Sequence, residues 1–215
     1  MMSKLMHQML KQCRRPTGWL GRLAAWSMNR GHAQMTIWGL AQIPIEKDDT
    51  ILDVGCGGGA TVHRLAAIAT EGKVYGVDLS EQSVAVARET NWPLIRAGRV
   101  EIQPGSVSHL PFPDGKFDLV TAVETYYFWP DLIADLREVL RVLKPGGRLA
   151  VVIEAYKGGK YEERNRQWVE LGNMAYHSSD ELANLFSTAG YTDVQVFEEY
   201  EEGWLCCTGK KARVE

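Results

Sequence analysis

Three acidic residues, a glycine run and one histidine carry the chemistry available to this chain. The stretch Ile51-Leu52-Asp53-Val54-Gly55-Cys56-Gly57-Gly58-Gly59 delivers a carboxylate on a short apolar strand directly into a glycine-rich turn. Glycine lacks a Cβ, so such a turn takes up tight dihedrals and lets a ligand lie against the main chain. A second strand-like run, Lys73 to Val77, ends in Asp78, where a carboxylate can accept hydrogen bonds from both hydroxyls of an adenosine ribose. Strand, glycine turn and helix in that order form the context in which a nucleoside-binding motif is credible. The third acid, Glu124, falls just past a later strand and is followed by the aromatic run Tyr126-Tyr127-Phe128-Trp129. His32 is the best candidate for a general base, because an unperturbed imidazole titrates near neutrality.

The spelling of the turn narrows the ligand. Dinucleotide enzymes carry G-x-G-x-x-G, whose following helix receives a pyrophosphate at its N-terminus. Here the order is Asp53-x-Gly55-x-Gly57-x-Gly59, and an anion ahead of the loop suits a ligand with a sulfonium and an ammonium better than one with two phosphates. On these residues the chain resembles the class I S-adenosylmethionine-dependent methyltransferases, of the small-molecule type called the methyltransferase 11 group. The resemblance continues through Gly105-Ser106-Val107-Ser108-His109-Leu110-Pro111-Phe112, then Phe117-Asp118-Leu119-Val120, then Leu143-Lys144-Pro145-Gly146-Gly147-Arg148-Leu149. These motifs keep the family's order from about Thr50 to Val152.

The resemblance implies S-adenosylmethionine as cofactor and S-adenosylhomocysteine as product. It gives the cofactor loop to Asp53, Gly55, Cys56, Gly57 and Gly59, the ribose to Asp78, the adenine to Leu79, Ser106 and Val107, and the methionine end to Glu124. The family often has an Asp where Ser106 stands, and a neutral hydroxyl holds the adenine amino group more weakly. Methyl transfer from a sulfonium is an in-line displacement, so the protein has to align the acceptor, exclude water and take a proton where the acceptor carries one. His32, Glu124 and Tyr127 are the catalytic candidates, and no metal ligand set is expected. The acceptor is expected to be a small molecule reacting through O, N or S.

The elements that must position these groups follow from the spacing of apolar residues. Strands are predicted at Ile51–Val54, Lys73–Val77, Val100–Gln103, Leu119–Val123 and Arg148–Glu154, with helices at Ala60–Ala69, Glu81–Asn91 and Asp131–Val142. A helix at Asp180–Ala189 ends on Gly190, and strands at Asp193–Glu199 and Trp204–Thr208 form a hairpin through Gly203. The fold class is therefore α/β: a Rossmann-like, mostly parallel seven-stranded sheet with helices on both faces and a C-terminal antiparallel hairpin. Residues 46–215 form this core, with 155–178 an irregular insertion on the substrate side. Residues 1–45 read as a helical lid with helices at Ser3–Cys13 and Trp19–Asn29. Ligands of open parallel sheets collect beyond the carboxyl ends of the strands. Glu124 to Trp129, Tyr156 to His177 and the segment ending at His32 should converge there, bringing Tyr126, Tyr127, Phe128, Trp129, Tyr161, Trp168 and Tyr176; about half of these are expected to be ordinary packing.

Composition removes several alternatives. A net charge of −3 offers no global attraction to nucleic acid or an anionic bilayer. Lys4, Lys11, Arg14, Arg15, Arg22 and Arg30 read as the solvated face of the lid. Cys13, Cys56, Cys206 and Cys207 match neither a zinc pattern nor a disulfide scaffold, and no run reaches the roughly 18 apolar residues of a membrane span, so a cytoplasmic location is expected. The Asp/Asn-Pro-Pro-Tyr/Phe loop of adenine N-methyltransferases and the Pro-Cys of cytosine C5 enzymes are absent. The remaining rivals are an RNA or protein methyltransferase, a nucleotide-dependent oxidoreductase and a non-catalytic cofactor-binding module. A homodimer formed through the Met- and Trp-rich lid is the one protein partner anticipated.

Overall fold

A computed structural model describes residues 32–213. The lid helices expected at Ser3–Cys13 and Trp19–Asn29, their basic side chains and Cys13 lie outside the described residues, as does any dimer contact made through them. The described elements run α1 Ala33–Ala41, β1 Thr50–Val54, α2 Ala60–Ile68, β2 Lys73–Asp78, α3 Glu81–Thr90, α4 Trp92–Arg96, β3 Val100–Pro104 and β4 Phe117–Val123. After a single 3-10 turn at Tyr126–Phe128 come α5 Leu132–Val142, β5 Leu143–Ile153, α6 Glu162–Gly172, α7 Ser179–Ala189, β6 Thr192–Glu199 and β7 Trp204–Lys210.

The seven strands form one sheet in the order β3-β2-β1-β4-β5-β7-β6. Pairing is parallel from β3 to β5 and antiparallel where β7 joins β5 and β6. Strands covered on both faces must be apolar at nearly every position. In β1, Ile51, Leu52 and Val54 are all buried, and in β5 Leu149 to Ile153 are fully buried. Alternate side chains feed two cores. Leu52, Val54, Phe117, Val120 and Val151 meet α5 and α7 residues on one face; Ile51, Val74, Leu119 and Ala150 meet α2 and α3 on the other. β1 lies between β2 and β4, and chain order reverses direction there, so a crevice opens beyond the carboxyl ends of these strands.

Helix starts are fixed by local hydrogen bonds. Ser80 caps α3 by accepting from the Ser83 amide, Asp131 caps α5 through Ala134, and Ser178 with Glu181 makes a reciprocal capping box on α7. Three elements were not legible in the pattern. Ala155 to Ser178 is not irregular throughout but contains the eleven-residue α6. Only Asn165 and Val169 of that helix are buried, too sparse a stripe to give an apolar period. α1 and the short α4 also went unread, and β5 begins at Leu143 rather than Arg148 because Leu143 already pairs with Phe117.

Candidate functional site

The crevice holds a cavity of about 640 Å³ lined by residues from β1, β2, β4, α2 and α6, by Glu154 and Ala155 just after β5, and by His32 and Thr36. On the β2 side its floor is the glycine turn. The amides of Gly55 and Cys56 both donate to the Val77 carbonyl, at 2.8 and 2.9 Å, which pins the turn to the end of β2. The Gly57 amide donates to Asp78 Oδ2 at 2.9 Å, and the Ser80 amide to Oδ1 at 2.8 Å. A carboxylate has about four lone-pair sites. Two are occupied here, so each oxygen keeps acceptor capacity for a vicinal diol. Burial raises the Asp78 pKa against the opposing pull of those amides.

The glycines divide by what surrounds them. Gly57 sits at φ +51, and a Cβ there would meet nothing within 4 Å, so the backbone faces open cavity. That bare main chain and the diol-ready carboxylate beside it fit an adenosine. A Cβ on Gly55 would collide with the Thr125 side chain. Gly59, predicted as a cofactor contact, does not line the cavity; its Cβ position lies 2.8 Å from the Ala87 Cα, and its bare backbone lets α2 pack on α3. Cys56, Leu79, Ser106 and Val107 all line the cavity. Leu79 is 55% exposed, whereas Val107 is buried and the Ser106 hydroxyl accepts from the Ser108 amide at 3.2 Å.

Asp53 is buried in the sheet, where Thr121, its register partner on β4, donates to Oδ1 at 2.7 Å. Burial pushes its carboxyl up to about 7, the Thr121 bond pulling the other way.

On the β5 side, Glu124, Tyr127, Glu154 and His32 come together. Glu124 leaves β4 at φ +57, a left-handed conformation that a non-glycine residue adopts at a cost of about 1–3 kcal/mol. Its amide donates to the Val152 carbonyl at 2.9 Å. Its Oε1 accepts from the Tyr127 hydroxyl and from the Glu154 amide, both at 2.8 Å. The same Tyr127 oxygen accepts from the amides of Glu154 and Ala155, so this buried phenol is fully engaged in holding Glu124 and the end of β5. Burial and the nearby Glu154 carboxylate raise the Glu124 pKa, and burial lowers that of His32 with Glu154 opposing.

Of the seven aromatics expected here, Tyr127, Phe128, Trp129 and Trp168 line the cavity and Tyr126, Tyr161 and Tyr176 do not. Tyr126 is core, with its hydroxyl 3.4 Å from His177 Nδ1, and Tyr176 donates to the Tyr156 carbonyl. His109 and His177 lie outside the lining. Sequence reasoning missed Thr61 and Arg64 on α2, Arg164 and Asn165 on α6, and Glu154. Glu154 had a usable signal, since it stood as the last residue of a predicted strand at the ligand end of the sheet.

The methyltransferase domain family model matches residues 52–151. The 27-O-demethylrifamycin SV methyltransferase of Amycolatopsis mediterranei is 37% identical over 152 residues, covering 69% of this chain and 56% of that enzyme. The chain thus spans little more than half of that relative's length. The demethylmenaquinone methyltransferase of Geobacillus kaustophilus is 32% identical over 186 residues, covering 73% of this chain and 76% of the enzyme. A solved S-adenosylmethionine-dependent methyltransferase from Aquifex aeolicus shares the fold with a TM-score of 0.70 at 22% identity, over 88% of this chain and 96% of that one. Among the described residues no helix is long and apolar enough to cross a membrane.

Proposed function

The chain belongs to the class I S-adenosylmethionine-dependent methyltransferases, and from that membership we propose that it moves the cofactor's methyl group to an O, N or S atom of a small-molecule acceptor. One observation carries the reading. A single cavity joins the Asp78–Gly57 cradle at the end of β2 to the Glu124–His32 group at the ends of β4 and β5, two to three strand spacings or about 10–14 Å away. That span suits a nucleoside at one side and a reacting centre at the other.

When bound, S-adenosylmethionine supplies a methyl carbon already activated by its sulfonium. The chain's own residues hold and shield it. Asp78 accepts from the ribose hydroxyls, Leu79 and Val107 flank the adenine with Ser106 at its edge, and Asp53, Gly55, Cys56 and Gly57 shape the loop. Gly59 supports that loop through α3 rather than by contact. Glu124, held by Tyr127, orients the methionine end. His32 is neutral near pH 7 because burial lowers its pKa, and it accepts a proton from an acceptor that arrives with one. Relatives whose names specify rifamycin and menaquinone precursors support a small-molecule acceptor.

The test is incubation with methyl-labelled S-adenosylmethionine and whole-cell extract, followed by separation of small molecules, protein and RNA. Label among the small molecules is the expected result. Label in RNA or protein would overturn the acceptor class, and cofactor binding without label anywhere would leave a binding module.

A further inference from the structure

Glu124, Glu154 and His32 gather acceptor atoms at one spot of the cavity. One nitrogen or carboxylate oxygen from each lies within 4.8 Å of those of the other two. Three points so spaced always enclose a position no more than about 2.8 Å from each, which is hydrogen-bond length for an N–H donor. The three come from separate elements: the residue preceding α1, the residue after β4 and the residue after β5. Among the described residues neither carboxylate pairs with a lysine or arginine. The one arginine of α6 that lines the cavity, Arg164, donates to Asn165 Oδ1 and lies 4.5 Å over the Tyr161 ring. Among the described residues, two carboxyl groups thus face an imidazole without an ion pair to a lysine or arginine.

Resting on the methyl-transfer reading, we propose that this group seats the protonated amine of the acceptor, making the substrate a primary or secondary amine on an apolar or aromatic body. A primary ammonium matches the spot in charge, in donor number and in distance, and a secondary one in charge and distance. A hydroxyl acceptor would instead build negative charge between two carboxylates. Phe128, Trp129 and Trp168 line the same cavity, and aromatic faces favour an organic cation. Glu124, which also orients the cofactor's methionine end, has already released its proton to solvent when the cofactor's ammonium binds, since an opposite charge beside a carboxyl favours its ionised form. In the reaction the ammonium loses one proton to His32 and its nitrogen lone pair forms the N–C bond. The carbon–sulfur bond breaks with its electron pair going to sulfur, leaving a methylated ammonium and S-adenosylhomocysteine.

The full chain is first saturated with S-adenosylhomocysteine, which fills the site of the cofactor's own ammonium. Benzylamine and its neutral isostere benzyl alcohol are then titrated calorimetrically near neutral pH. Benzylamine should bind at least tenfold more tightly than the alcohol. Glu154→Gln should shrink that preference about tenfold or more, with S-adenosylhomocysteine affinity retained, and His32→Gln should shrink it less. Equal binding of amine and alcohol, or an unchanged preference in Glu154→Gln, would overturn the inference. So would Mn²⁺ binding that excludes benzylamine and is lost in Glu154→Gln, which would make the group a metal site. Failure of S-adenosylhomocysteine to bind would overturn the methyl-transfer reading itself, a distinct result.

Discussion

Asp78→Asn tests the cofactor site most directly, because the replacement keeps the side chain's shape and removes half of its acceptors. In the parent chain the Gly57 and Ser80 amides occupy one carboxylate oxygen each. Asparagine has one acceptor oxygen, so its NH2 must face one of these two N–H groups, donor against donor. The ribose also loses its charge: one hydroxyl loses its acceptor outright and the other keeps a neutral one. Hydrogen bonds to a charged group contribute about 1.5–3 kcal/mol each, and the substitution removes one and weakens a second. The expected loss is about 2–4 kcal/mol, or roughly 30- to 700-fold in the Kd for S-adenosylhomocysteine. Calorimetry reads this directly.

A loss of affinity could also come from a distorted glycine turn, and a second ligand pair separates the two causes. The parent should prefer adenosine over 2′,3′-dideoxyadenosine, since only the former offers hydroxyls to Asp78. In Asp78→Asn that preference should collapse while weak binding of the dideoxy compound persists. Equal discrimination by parent and variant, or S-adenosylhomocysteine affinity within about threefold of the parent, would refute the assignment of Asp78 to the ribose. Because burial raises the Asp78 pKa, parent affinity should also fall as pH drops through that raised value and the acceptor becomes a donor.

Four further substitutions probe the supports of the site. Asp53 titrates at about 7 in the fold against 3.8 unfolded, so between these values the folded chain holds a proton that the unfolded chain has released; stability is complete below about pH 4 and declines as pH rises to 7. Asp53→Asn should abolish that decline and gain about 2–4 kcal/mol at pH 8, raising Tm by about 5–10 °C; parallel Tm-against-pH curves for parent and variant would refute the shift. Gly59→Ala should destabilise by about 2–5 kcal/mol, combining positive φ with collision on α3, whereas Gly57→Ala should cost about 1–2 kcal/mol of stability and mainly weaken cofactor binding; the reverse order of unfolding midpoints would contradict the packing. Tyr127→Phe removes the donor to Glu124 and leaves the Ala155 amide without its partner, an expected loss of about 2–4 kcal/mol in chemical unfolding; a parental midpoint would show that the network contributes nothing.

The cofactor half was legible because it is local. Asp53, the turn and Asp78 fall within one βαβ unit, and each residue type there answers a short-range need: an open backbone at Gly57, a carboxylate at a strand end. Register did the rest, since pairing of β1 with β2 brings the Gly57 amide to the Asp78 carboxylate. Gly59 marks the limit of that reasoning. Its spelling fits the loop, yet what demands glycine is Ala87 on another helix, a contact that no spacing in the loop reveals. The acceptor half depends on such contacts throughout. His32, Glu124 and Glu154 stand 92 and 30 positions apart in chain order, and α6 closes the cavity with a helix too polar to announce itself.

The four acids of the site nevertheless obey one rule. Asp78, Asp53, Glu124 and Glu154 lie at the carboxyl ends of β2, β1, β4 and β5, four strands adjacent in the sheet in that order. What differs is how far the protein itself satisfies each carboxylate. Asp53 accepts from Thr121 deep in the sheet and shapes the loop from behind. Asp78 takes two backbone amides and keeps lone pairs for a diol. Glu124 has one oxygen fully engaged by Tyr127 and the Glu154 amide. Glu154 alone has a carboxylate with no hydrogen-bond partner among the described residues, although its backbone amide and carbonyl are both bonded. A half-buried carboxylate left open on a rigid backbone is positioned for a ligand rather than for the fold. Three of the four carboxylates are thus held by the protein and only that of Glu154 is left open, and it is at Glu154 that substitution should change which molecule is methylated while leaving the cofactor in place.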